Sequence, residues 1–224
     1  MRCSIRLVYL LIYNLLQFSG STWIFANMTA RFLFFGRGAH PDMFYSVGVV
    51  MSLCQLLSML EFFHIADSLE KARLLPRIIQ VMERNLLLFV VFVSQEEFQS
   101  NPIVCVQFYL WNIAQLLRYP HTLLCLVSST LSANTLWAHH TFSIPVYVLS
   151  VLTEGISIWQ ALPYFENGMY SIQLTAPVQV FIHFPYVLMA YLPLLAAAAM
   201  VTVWLLLKER KQQLDCWNKK LKRK

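Results

Sequence analysis

Charge is what this chain has least of. Asp, Glu, Lys and Arg make up 12% of its 224 residues, about half the usual share of a soluble domain. So few charges cannot cover the outside of a water-soluble fold, which excludes an ordinary cytosolic enzyme. Disorder is excluded too, because 58% of the residues are hydrophobic. The five cysteines, Cys3, Cys54, Cys105, Cys125 and Cys216, are scattered. They lack the density of a disulfide mini-protein and the spacing of a zinc site. His64, His121, His139 and His140 form no ligand motif either, so no metal is expected. Neither the internal repeats of a transporter nor the short alternating segments of a β-barrel are present.

What is present is a series of apolar segments long enough to cross a bilayer. A helical span needs roughly 20 apolar residues, about 30 Å of helix. Six spans are expected, at about 7–28, 43–66, 76–95, 103–128, 140–161 and 181–207, giving an all-α polytopic membrane protein with a basic tail over 208–224. The third is the least clean, since Glu83 and Arg84 lie near its start. The fourth contains Pro120, where a kink is expected. A seven-helix alternative splits the chain there and makes 120–138 a separate span. The first span is too long for the apolar core of a signal peptide.

The scarce cations fix the expected orientation. Arg2 and Arg6, then Lys71, Arg73 and Arg77, then eight Lys and Arg between Lys208 and Lys224, all fall on one side of a six-span chain. Arg84 and Arg118 sit near the same face. Only Arg31 and Arg37 fall opposite. Both termini are therefore expected in the cytosol, and the net charge of +6 is a topology signal rather than a nucleic-acid one. The basic tail reads as a solvated end facing lipid headgroups. Its last residues have the dilysine form of an endoplasmic-reticulum return signal. The sequon at Asn27-Met28-Thr29 abuts the membrane end of the first span, out of reach of a glycosyltransferase.

Polar side chains inside spans are costly unless they face the bundle interior. They mark either interhelical glue or a reaction site. Gln17, Gln55, Glu61, His64, Gln115, Arg118, Tyr119, Tyr147 and Glu154 are of this kind. Glu154 stands alone among apolar residues, and Tyr147 precedes it by seven. Seven helical steps return to within about 20° of the same face, with a rise of about 10.5 Å. A carboxylate and a phenol on one inward stripe suit general acid–base chemistry. In the alternative, Tyr147 is an interfacial aromatic and Glu154 pairs with Arg118 or Arg84. Arg118 suits a phosphate or a carboxyl group, or it snorkels to the headgroups. Glu61 and His64, three residues apart, are expected to share a proton or to pair with Arg73.

Several of these residues fall in phrases that resemble one family, the very-long-chain 3-hydroxyacyl-CoA dehydratases, also called protein tyrosine phosphatase-like proteins. Tyr13-Asn14-Leu-Leu-Gln17 resembles the family's Y-N-x-x-Q, and Leu60-Glu61-Phe-Phe-His64 its L-E-x-x-H. Gln80-Val-Met-Glu83-Arg84 resembles Q-V-x-S-R. Trp111 to Tyr119 resembles W-x-x-x-E-V-I-R-Y, and Tyr147 to Glu154 resembles Y-P-x-G-x-x-x-E. Phrases such as Leu162-Pro-Tyr-Phe-Glu166 are most similar to a short branch of the family.

The resemblance implies a six-helix enzyme of the endoplasmic-reticulum membrane. It implies removal of water from a (3R)-3-hydroxyacyl-CoA in fatty-acid elongation, with elongase enzymes as partners and no cofactor. It makes Tyr147 and Glu154 the catalytic pair, with Glu154 as base and Tyr147 as proton donor. Arg118, Tyr119, Gln17 and His64 are the expected substrate-binding residues. Three departures from the pattern are Val148 for Pro, Ser150 for Gly and Gln115 for Glu. They motivate a second reading, a catalytically weak relative that binds or scaffolds an elongase complex. The phosphatase half of the family's other name finds no support, since no Cys is followed by five residues and an Arg.

Overall fold

A computed structural model of the chain describes residues 5–66, 74–127, 133–165, 172–174 and 180–221. Helix α1 spans Ile5–Phe35 and ends at Gly36, whose φ of 56° is a left-handed conformation that glycine adopts without strain. A single 3-10 turn, Gly36–Ala39, leads into α2 (His40–Ser58), which α3 (Leu60–Ala66) extends. Helix α4 (Leu74–Leu86) continues as a π-helix over Leu87–Phe92, with Val93 N–H reaching back to the Leu88 carbonyl. A short α5 (Glu96–Gln99) precedes α6 (Pro102–Val127) and α7 (Ala133–Ala161). Strands β1 (Ile172–Leu174) and β2 (Val180–Ile182) pair antiparallel, Ile172 opposite Ile182, and α8 runs from Phe184 to Leu221.

The all-α class holds for the described residues, with this short ribbon as its one addition. The ribbon's segments, Ile-Gln-Leu and Val-Phe-Ile, carry β-branched and aromatic residues between the last two long helices. Elsewhere the described fold is helical. Helix α6 runs unbroken through Pro120, so the separate span over 120–138 does not form.

Among the described residues, four helical segments are long and apolar enough to cross a membrane: Ile5–Phe35, His40–Ala66, Thr141–Phe165 and Phe184–Gln213. Helices α4 and α6 fall outside this group for a visible reason. Helix α6 packs against α1, α2 and α7 and turns Gln107, Asn112 and Gln115 inward, all buried. Its polar content faces the bundle rather than the surroundings. Outward faces show the reverse pattern, with Leu33, Phe34, Tyr45, Val49 and Leu194 exposed. Apolar outside and polar inside is the arrangement expected where the surroundings are lipid.

Helices α1 and α2 approach closely at Gly20, where an added Cβ would lie 2.7 Å from Cys54 Sγ. An aromatic layer of Phe92, Phe98, Phe108 and Trp111 fills the centre, with the Phe108 and Trp111 rings stacked 5.8 Å apart. The Trp111 indole is thereby fixed beneath α7.

Candidate active site

Among the described residues, three carboxyl groups are buried in the bundle: Glu61, Glu83 and Glu154. Glu154 therefore does not stand alone, as the sequence suggests. The three side chains sit at two levels, and helices α4 and α6 contribute to both.

Glu61 forms the first level. Arg77 Nε and Arg118 Nη1 both donate to its Oε2 at 2.5 Å. Tyr119 Oη donates to Oε1 at 3.0 Å, and Tyr13 Oη lies 3.3 Å from the same oxygen. Gln17 Nε2 bonds to Tyr13 Oη and to the Cys54 carbonyl. His64 Nε2 meets Tyr9 Oη at 2.8 Å, and its ring packs edge-on against Tyr13 at 4.7 Å. Arg118, Tyr119, Gln17 and His64, the four expected substrate-binding residues, are thus gathered around one carboxylate. The cation expected on Glu61, Arg73, lies outside the described residues. Arg77 takes that place because it sits on α4, turned toward α3.

Glu154 forms the second level, on the inner face of α7. Its Oε1 accepts from Trp111 Nε1 at 3.1 Å, Gln107 Nε2 at 3.2 Å and Ser150 Oγ at 3.2 Å. No hydrogen bond among the described residues reaches Oε2. Trp111 and Gln107 are four apart on α6, so one face of that helix supplies both donors. That spacing is the sequence signal for the pair, and it does not show when the polar residues of the span are read singly. Neither Arg118 nor Arg84 forms an ion pair with Glu154; Arg84 is within electrostatic reach only.

Tyr147 is buried on the same face of α7. Its phenol does not touch Glu154. It donates to Glu83 Oε2 of α4 at 3.1 Å. Glu83, Tyr147 and Glu154 nevertheless interact electrostatically and occupy one region of the interior. Thr202 of α8 is fully buried beside the phenol, with its hydroxyl directed at Tyr147. Along α4 the two levels are six residues apart, from Arg77 to Glu83, about 9 Å of helix.

The three departures fall into distinct places. Ser150 accepts from Gln107 Nε2 at 3.0 Å and donates to Glu154, so it joins the site rather than crowding it. Gln115 accepts from Ser21 Oγ at 2.5 Å, while Arg118 finds its carboxylate in Glu61. Val148 lies on the outer face of α7, 37% exposed. Among the described residues, no three His, Cys, Asp or Glu side chains gather as a metal site would require. The His121 and His139 rings stack 4.1 Å apart.

A family-wide sequence model described as "Protein tyrosine phosphatase-like protein, PTPLA" matches residues 55–216. The chain belongs to this family. Among its PTPLA relatives is "Very-long-chain (3R)-3-hydroxyacyl-CoA dehydratase" of Xenopus laevis, 49% identical over 96% of this chain and 98% of the relative. "Very-long-chain (3R)-3-hydroxyacyl-CoA dehydratase 4" of Homo sapiens and its Mus musculus counterpart are each 44% identical, over 96% of this chain and 92% of theirs. No solved structure matches the chain. The matched segment contains Glu61, Glu83, Tyr147 and Glu154, so both carboxylate levels lie inside the family's shared region.

Proposed function

We propose that the chain removes water from very-long-chain (3R)-3-hydroxyacyl-CoA to give the trans-2-enoyl-CoA, the dehydration step of fatty-acid elongation. One observation carries the reading. Glu154 and Tyr147 are buried on one face of α7, with one Glu154 oxygen held by three donors and the other open. The family's named dehydratases give the chemistry that such a pair would serve.

Dehydration needs a base for the Cα proton and an acid for the departing hydroxyl. Glu154 Oε2 is the base, because Trp111, Gln107 and Ser150 hold the carboxylate through Oε1 alone. Tyr147 is the acid. The elimination is redox-neutral and calls for no cofactor. Hydrogen-bond donors fixed before the reaction do not reorganise during it, which keeps the site effective in a dry interior.

Six helices cross the endoplasmic-reticulum membrane in this reading, with both termini and the 208–224 tail in the cytosol. The Lys and Arg asymmetry supports that orientation. The Glu61 level then faces the cytosolic end, where a CoA headgroup stays in water. The Arg118 side chain is 18% exposed, enough to offer guanidinium donors to a phosphate. Tyr119, Gln17 and His64 contribute by holding that level together. The acyl tail runs inward between helices, gaining roughly 0.8 kcal/mol per buried CH₂. Lipid and elongase enzymes are the surrounding partners.

The second reading, a catalytically weak scaffold subunit, rests on Val148, Ser150 and Gln115. Two of these have bonds of their own within the bundle. Purified full-length protein given a long-chain 3-hydroxyacyl-CoA separates the readings. Enoyl-CoA formation, followed by mass spectrometry, supports the enzyme; its absence leaves the scaffold. A tag between β1 and β2 is expected in the lumen, and cytosolic accessibility there contradicts the six-span topology.

A further inference from the structure

Tyr147 has one hydroxyl hydrogen, and with its oxygen 3.1 Å from Glu83 Oε2 an ionised Glu83 takes that hydrogen. A phenol bound in that way cannot give its proton to a substrate hydroxyl. The direction of the bond depends on Glu83. As a carboxylate, Glu83 only accepts; as a carboxylic acid, it donates to the phenol oxygen and frees the phenol hydrogen. Glu83 is 5% exposed, and no hydrogen bond other than that from Tyr147 reaches it among the described residues. It shares its surroundings with Glu154, and two buried carboxyl groups in one site do not both ionise readily.

We propose that Glu83 is the positioning residue and proton partner of Tyr147 in the dehydration. The inference rests on the dehydratase reading above and adds to it the source of the acid's proton. The resting site holds one proton on the carboxyl pair. With that proton on Glu83, the carboxyl donates to Tyr147 Oη, and the phenol O–H turns to the substrate's 3-hydroxyl. Glu154 Oε2 takes the Cα proton, and the C–H electron pair becomes the Cα–Cβ double bond. The Cβ–O bond breaks, and its electrons leave with the hydroxyl. That hydroxyl takes the Tyr147 proton and departs as water, while the Glu83 proton moves to the phenol oxygen. Glu154 ends as the acid and Glu83 as the carboxylate. Transfer of one proton from Glu154 to Glu83 restores the start.

One feature of the surroundings fits this circuit. The Thr202 hydroxyl, fully buried and directed at Tyr147, helps to hold the phenol in place at the site where the substrate hydroxyl would depart.

The test compares wild type, Glu83→Gln, Tyr147→Phe and the double variant, each as purified full chain with a long-chain 3-hydroxyacyl-CoA. Glu83→Gln is expected to lose about 100-fold in kcat with KM changed by no more than about twofold. In the Tyr147→Phe background the same change is expected to cost nothing further, because Glu83 acts through the phenol. Near-wild-type kcat in Glu83→Gln overturns the proposal. So does a double variant slower than Tyr147→Phe by the full Glu83→Gln factor. If Glu83→Gln does not fold, Glu83→Ala carries the same two comparisons. A wild type that forms no enoyl-CoA removes the dehydratase reading and this inference with it; a fully active Glu83→Gln removes only the inference.

Discussion

Glu61 and Glu154 are both carboxylates buried in the same bundle, yet their surroundings differ in kind. Glu61 is met by two guanidinium groups and two phenols that occupy both of its oxygens. Glu154 is met by an indole, an amide and a hydroxyl, all neutral, and all on one oxygen. A saturated, charge-paired carboxylate has no lone pair to spare, and removing a partner leaves an uncompensated charge. A carboxylate fixed by neutral donors, with one oxygen open, keeps its basicity for a substrate. The difference separates a clasp from a reaction centre, although burial alone does not distinguish the two.

Breaking the clasp should have the largest effect on the protein as a whole. Glu61→Ala strands Arg77 and Arg118 inside the bundle and is expected to cost about 3–5 kcal/mol of stability, read as a lower thermal midpoint in detergent. An unchanged midpoint would erase the contrast between the levels. Tyr147→Phe should leave the fold intact and lower kcat about 100-fold or more, since it removes one hydroxyl in contact with Glu83. Ser150→Gly, which restores the family pattern, removes one of three donors from Glu154. About a tenfold loss in kcat/KM is expected, the worth of one hydrogen bond; a gain would show Ser150 to be an obstruction. Arg118→Lys keeps the charge but loses the planar fork. A rise in KM of a few-fold, with kcat unchanged, is expected if one guanidinium face meets the CoA headgroup.

Much of the fold is legible in the sequence, because apolar runs of span length declare themselves. Helices lie over most of each expected segment among the described residues, four of them long and apolar enough to cross a membrane, while α1 runs on to Phe35, α7 begins at Ala133 and the last segment opens on β2. The ribbon at β1 and β2 is not legible, since three-residue strands carry too few positions for a period. Within the site, Tyr147 and Glu154 are legible as one face of one helix. Their partners come from α4 and α6, and single-helix periodicity says nothing about which faces of separate helices meet. Glu83 shows the limit most plainly. Set beside Arg84 near the start of an expected span, it reads as an ordinary helix-end charge, and only packing against α7 brings it to the phenol. Arg77 reads as a loop cation for the same reason.

Glu154→Gln is the most direct test of the central claim, that the underserved carboxylate is the base. Glutamine keeps an oxygen for the Trp111, Gln107 and Ser150 donors, so the thermal midpoint should stay near that of wild type. Enoyl-CoA formation should fall by about 100-fold or more. Wild-type turnover by a folded Glu154→Gln protein would contradict the account.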